Sequence, residues 1–121
     1  MRIILDGIPA MLREMIKETI TAGARLSIIA ETIGESGLRT TLAQDPADVV
    51  IVVSNSDVAE ADRYIELLRA YPALRVVAIA SDGRRAFIYE LGRGVVQISG
   101  LSPETLLAAL QSLKPPTKSL V

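Results

Sequence analysis

Few residues of this 121-residue chain combine a reactive side chain with a position where a fold could use it. Histidine and cysteine are absent, which excludes histidine-based triads, thiolate nucleophiles and the usual zinc sites. The remaining candidates are carboxylates and hydroxyls that follow apolar runs. Asp6 follows the run RIIL, and the polar stretch SNSD at 54–57 follows the run DVVIVV. Neither provides a general base with a partner, so we expect that the chain is not an enzyme.

Asp6 and Asp57 each allow two interpretations. Asp6 could bind a cation, although a lone acid at a strand end more often accepts hydrogen bonds from loop amides or caps the next helix. Asp57 could act as a nucleophile that lies beyond the end of the strand. Its place in a polar loop before a helix instead favours an N-cap. No phosphate-binding loop accompanies them, because Gly34 and Gly37 lack a following Lys-Ser/Thr. We therefore expect no metal and no cofactor.

Short apolar runs alternate with amphipathic stretches along the chain. The pattern predicts strands at 2–5, 26–31, 48–53, 74–80 and 94–98. It predicts helices at 8–22, 36–44, 58–71 and 82–91, and a last helix that begins at Ser102-Pro103-Glu104. We therefore expect an α/β fold, a doubly wound five-stranded parallel sheet of order 2-1-3-4-5 with five helices. Residues 1–113 would form the domain, and the Pro-Pro stretch makes 114–121 a linker or C-terminal tail.

The composition narrows the partners and the compartment. Half of the residues are hydrophobic and the formal net charge is −1, so the domain can bury a core and has no basic surplus for nucleic acid. No apolar run approaches the ~20 residues that cross a bilayer, and the N-terminus lacks a signal-peptide pattern. We expect a cytoplasmic protein with no membrane contact and no direct contact with nucleic acid.

Four stretches of the sequence, in this order of elements, resemble the receiver domain of two-component response regulators. They are RIILDGIPAMLRE, PADVVIVV, YPALRVVAIAS and GRGVVQISGLSPETLLAAL. The resemblance is greatest to receivers that precede LuxR-type helix-turn-helix domains, and it covers roughly residues 1–113. It implies a flavodoxin-like, receiver fold and a part in signal transduction and transcription regulation.

The resemblance also implies where a phosphorylation site would lie. In receivers, two acids after the first strand hold magnesium, an Asp ending the third strand accepts the phosphoryl group, and a Ser/Thr and a Lys end the fourth and fifth strands. On this chain those positions fall, in that order, on Asp6, Gly7, Val53, Ala80 and Ser99. Valine has no lone pair with which to attack phosphorus, and one acid alone is a poor magnesium site. The resemblance therefore implies a degenerate pseudo-receiver without the phospho-acceptor Asp.

Receivers dimerise through the fourth helix, fifth strand and fifth helix, which implies a candidate interface. Its residues here would be Arg84, Arg85, Phe87, Tyr89, Arg93 and Val96. The alternative for the arginines is an ordinary solvated face. Phe87 and Tyr89 lie two residues apart, so a regular helix would leave one of them exposed.

Two hypotheses about function follow. The first is a homodimer that acts by protein–protein contact and controls an attached or partner DNA-binding domain. The alternative is a small-molecule sensor that uses the vacated pocket at the carboxyl ends of the strands.

Overall fold

A computed structural model describes residues 1–23, 26–54, 61–92 and 95–112. Its strands are β1 (Arg2–Asp6), β2 (Ser27–Thr32), β3 (Val49–Ser54), β4 (Arg75–Ala80), β5 (Arg85–Glu90) and β6 (Val96–Ser99). Its helices are α1 (Ala10–Ala22), α2 (Glu35–Gln44), α3 (Ala61–Ala70) and α4 (Pro103–Ser112). The predicted tail at 114–121 lies outside the described residues.

The described strands form one mixed sheet of six strands in the order β2-β1-β3-β4-β5-β6. Strands β1 to β4 pair in parallel, whereas β5 is antiparallel to β4 and β6 is antiparallel to β5. The prediction of a five-stranded parallel sheet with five helices is therefore wrong. The parallel part keeps the expected order 2-1-3-4, and the difference begins after β4.

The predicted helix at 82–91 is instead the second arm of a hairpin. Gly83 adopts a positive φ of 73° in the turn, and Asp82 accepts a hydrogen bond of 2.8 Å from the backbone N–H of Arg84. The next four apolar side chains, from Ala86 to Tyr89, are all buried. A strand inside a sheet that is covered on both faces buries consecutive side chains, whereas a helix on a sheet surface buries only one stripe.

Helices cover both faces of the sheet. The side chains of each strand alternate between the two faces, so each face has its own core. On one face α1 and α4 pack on a cluster that includes Ile3, Leu5, Ile51 and Ile79. On the other face α2 and α3 pack on the alternate residues, among them Ile4, Val50, Val52, Phe87 and Tyr89. Within the described ranges, no helix is long and apolar enough to cross a membrane.

Candidate functional site

Four of the five predicted site positions lie at the carboxyl ends of the parallel strands. Asp6 ends β1 and pairs in register with Val52 of β3, and Gly7 follows it. Val53 pairs with Ile79, next to Ala80 at the end of β4. Because neighbouring strands lie ~4.8 Å apart, these residues are close together at the ends of the strands, where doubly wound sheets bind ligands. Asp6, Gly7 and Val53 line one cleft there, and Ala80 is buried beside it.

Asp6 is tied to the neighbouring strand rather than to a helix. Its Oδ1 accepts a hydrogen bond of 2.6 Å from the Thr32 hydroxyl, and the Gly7 N–H donates to the Thr32 carbonyl at 2.9 Å. Helix α1 has Pro9 at its N-cap and no side-chain capping bond, so Asp6 does not cap it. Thr32 is one residue of this site that the sequence interpretation missed, since only the register of β2 beside β1 reveals it.

The floor of the cleft on the β3 and β4 side carries no ionisable group. Val53 is half-buried, and both Ser54 and Ala80 are buried. The Ser54 carbonyl accepts a hydrogen bond of 2.9 Å from the Ser81 N–H, which holds the ends of the two strands together. The predicted loop residues Asn55, Ser56 and Asp57 lie outside the described residues.

Ser99 does not join this cleft. It ends β6, and β4 and β5 both lie between β6 and β3 in the sheet. Three strand spacings of ~4.8 Å separate β3 from β6 by roughly 14 Å. Its neighbours are instead on the hairpin, where Ser99 pairs with Arg85 and lines an open groove with Asp82 and Arg84.

A cavity of about 250 Å³ opens between α2 and α3 beside the cleft. Its apolar lining includes Leu38, Leu67 and Val76, and its polar lining includes Tyr64 and the two carboxylates Asp6 and Glu35. Glu35 also accepts a hydrogen bond of 2.9 Å from Arg39, one turn later on α2. Lone-pair acceptors above an apolar floor suit a ligand with a donor or cationic head and an apolar body. Among the described residues no three His, Cys, Asp or Glu side chains gather as a metal site.

The residues proposed for an interface have different surroundings. Arg84 is exposed, Arg85 is partly buried with its guanidinium 4.0 Å from Asp82, and Arg93 lies outside the described residues. Val96, on the edge strand β6, is 56% exposed. Phe87 and Tyr89 are each only 3% exposed. The expectation that one of these rings is exposed is wrong, because residues two apart on a strand point to the same face.

Several ion pairs among the described residues lie outside the cleft, and the sequence interpretation did not find those at Glu31 and Glu90. On the edge strand β2, Glu31 accepts from Lys17 at 3.1 Å and from Arg13 at 3.4 Å. The hydrogen bond from Lys17 is the main reason that the pKa of Glu31 lies below its ordinary value. Arg75 and Glu90 form a partly buried pair that joins β4 to β5. Each depends on pairing between distant segments, which local patterns do not reveal.

No family model, curated protein or solved structure matches this chain. The resemblance to receivers therefore depends only on the sequence stretches given above, and the order of elements after β4 departs from that of receivers.

Proposed function

We propose that this chain is a pseudo-receiver regulatory module that acts through protein contacts and not through phosphoryl transfer. The module would control an attached or partner DNA-binding domain, and it would act in the cytoplasm. The observation that carries the proposal is the composition of the cleft: Val53, to which the resemblance assigns the acceptor position, has Gly7 and Ala80 near it. None of these three side chains can attack, coordinate or bind a phosphoryl group.

The surroundings of the remaining acid support the same proposal. An oxygen of Asp6 already accepts the hydroxyl hydrogen bond of Thr32. The position expected to supply a cation, Ser99, lies on β6 and faces the hairpin turn. Catalysis of phosphoryl transfer needs the nucleophile and the charge-stabilising groups in one place. Among the described residues at the carboxyl ends of β1, β3 and β4, Asp6 is the one carboxylate and none is a cation.

Incubation with acetyl phosphate and magnesium tests this proposal. We expect the intact mass of the chain to stay unchanged, while a phosphorylatable receiver in the same reaction gains a phosphoryl adduct. An adduct that hydroxylamine removes, as it does an acyl phosphate, would contradict the proposal. The variant Asp6→Asn shows where any phosphoryl group is attached, because an adduct carried by Asp6 would be absent from this variant.

A second candidate function is a small-molecule sensor, and the cavity between α2 and α3 is the observation that favours it. The lining of Asp6 and Glu35 above Leu38 and Leu67 fits an organic amine with an apolar body. Such a ligand would satisfy carboxylate oxygens while its body removes apolar surface from water.

A thermal-shift screen of amines tests the sensor function. A ligand present at a hundred times its Kd adds about 2.7 kcal/mol, which raises the Tm by roughly 10 °C for a domain of this size. The variant Glu35→Gln should reduce the shift, whereas Glu14→Gln, on the exposed side of α1, should leave it unchanged. If no amine raises the Tm, the sensor function is wrong.

A further inference from the structure

The two edges of the sheet differ in their protection against pairing with another strand. Edge strands in monomeric proteins are blunted by bulges, charges or prolines, because their unpaired backbone groups can bind a further strand. Strand β2 has both a bulge, where its register with β1 shifts between Ile3 and Ile4, and the charged Glu31. Strand β6, with the sequence VQIS, has no charge, no proline and no bulge in its pairing with β5.

Apolar side chains are exposed at this unprotected edge. Val96 is 56% exposed, and Val95 and Leu91 are each 36% exposed. These are three of the five large apolar side chains that are exposed among the described residues. A second strand beside β6 would cover Val96 and satisfy the backbone groups that face away from β5.

The residue order of β6 is complementary to itself. Val96 and Ile98 lie on the α1/α4 face, because they pair with Ile88 and Ala86, which belong to that core. Gln97 lies on the opposite face. In an antiparallel pair, facing residues share a face of the sheet. A two-fold axis through Gln97 therefore places Val96 opposite the partner subunit's Ile98.

The same axis places the two Gln97 amides opposite each other. An amide carries both donors and an acceptor, so two of them can bond to one another. No like charges meet within the paired strands, since VQIS has none. An isologous interface requires a surface that complements itself, and this strand meets that requirement.

We propose that this chain forms a two-fold homodimer by antiparallel pairing of β6 with β6 of a second copy, which joins the two sheets edge to edge. The inference rests on the proposed function, because it names the surface through which a contact-driven module would associate. A four-residue strand buries little area, so the dimer belongs to the weak, concentration-dependent class.

Cross-linking tests the register directly, since the chain has no cysteine of its own. Facing residues in an antiparallel pair have Cα atoms about 4.5–5.5 Å apart, within the range that a disulfide spans. Gln97→Cys should form a disulfide-linked dimer under mild oxidation, whereas Met11→Cys, on α1 and 89% exposed, should stay monomeric. Equal cross-linking of the two variants would overturn the proposal.

Sedimentation of the chain over a concentration series supplies the second measurement. We expect reversible dimerisation that Val96→Lys weakens at least tenfold and that Met11→Lys leaves unchanged. Thermal unfolding in the dilute, monomeric range checks that Val96→Lys keeps the fold. A chain that stays monomeric, or a dimer that Val96→Lys does not weaken, would overturn the proposal. In either case the phosphorylation assay still decides the proposed function, so the two failures are distinguishable.

Discussion

Truncation of the two aromatic rings of β5 tests whether residues 85–90 form a strand. Phe87 and Tyr89 are each 3% exposed and face the α2/α3 core, where the Tyr89 ring lies 5.0 Å from that of Tyr64. An aromatic side chain buries roughly 200 Å², which at ~25 cal/mol per Å² corresponds to about 5 kcal/mol. Since Ala keeps the Cβ and neighbours relax, we expect Phe87→Ala and Tyr89→Ala each to lower the free energy of unfolding by about 3 kcal/mol.

The comparison of the two variants gives the decisive result. Urea unfolding followed by far-UV circular dichroism suits a chain without tryptophan, and the slope m should remain unchanged. Met11→Ala, at an 89% exposed position, is the control and should change the free energy of unfolding by less than about 0.5 kcal/mol. A helix at 82–91 would make only one of the two rings costly. A loss below about 1 kcal/mol for either ring would therefore refute the hairpin.

Three further predictions concern the cleft and the β2 edge. Thr32→Val should lower the free energy of unfolding by about 1–2 kcal/mol, because it removes the hydroxyl that donates to Asp6. Thr32→Ser keeps that hydroxyl and should recover most of this loss in the same urea measurement. Gly34→Ala should cost about 1–2 kcal/mol through backbone strain alone, since φ is 92° and an added Cβ would meet no heavy atom within 4 Å; a cost near zero would contradict this φ. The pKa of Glu31 is lowered in the fold, so its contribution to stability is present above its unfolded pKa and is lost as the pH falls through the folded value. Urea midpoints of the chain and of Glu31→Gln should therefore differ at neutral pH and converge in acid, and a gap that persists in acid would contradict the pairing with Lys17.

The sequence was sufficient to predict the first part of the fold. The apolar run at 48–53 predicted a buried central strand, and β3 lies at Val49–Ser54 between β1 and β4. The helices expected at 8–22 and 36–44 are α1 and α2, with bounds that differ by at most two residues. These elements have long, one-sided or fully apolar patterns, in which local preference and tertiary burial agree.

The segment after β4 was predicted wrongly because its apolar run is short. Four apolar residues, AFIY, fit a buried strand and a turn of helix equally well by periodicity alone. The element order of receivers favoured a helix there. The opposing signal was the Asp82-Gly83 pair between two apolar runs, which is typical of a hairpin turn.

The same distinction applies to the candidate site. The fold brings Asp6 and Val53 together beside one cleft, because each lies near the carboxyl end of a parallel strand whose position its own apolar run determines. It does not bring Ser99 there, because the distance of Ser99 from Val53 depends on how many strands lie between them. That number is a property of the whole sheet, and the spacing of residues along the chain does not contain it.

The β4–β5 hairpin bears on both the proposed function and the proposed dimer, because it determines where β6 lies in the sheet. An aspartate at position 53 would supply a nucleophile, but a lysine at position 99 would start roughly 14 Å away, about twice the reach of its four-carbon stem. Side-chain changes alone would therefore not create a receiver-like phosphorylation site in this sheet. The position of β5 between β4 and β6 also leaves the short, uncharged β6 at the edge of the sheet, with Val96 exposed. Strand β5 thus both separates position 99 from position 53 and leaves β6 as an edge suited to contact, which is why we favour association over chemistry for this chain.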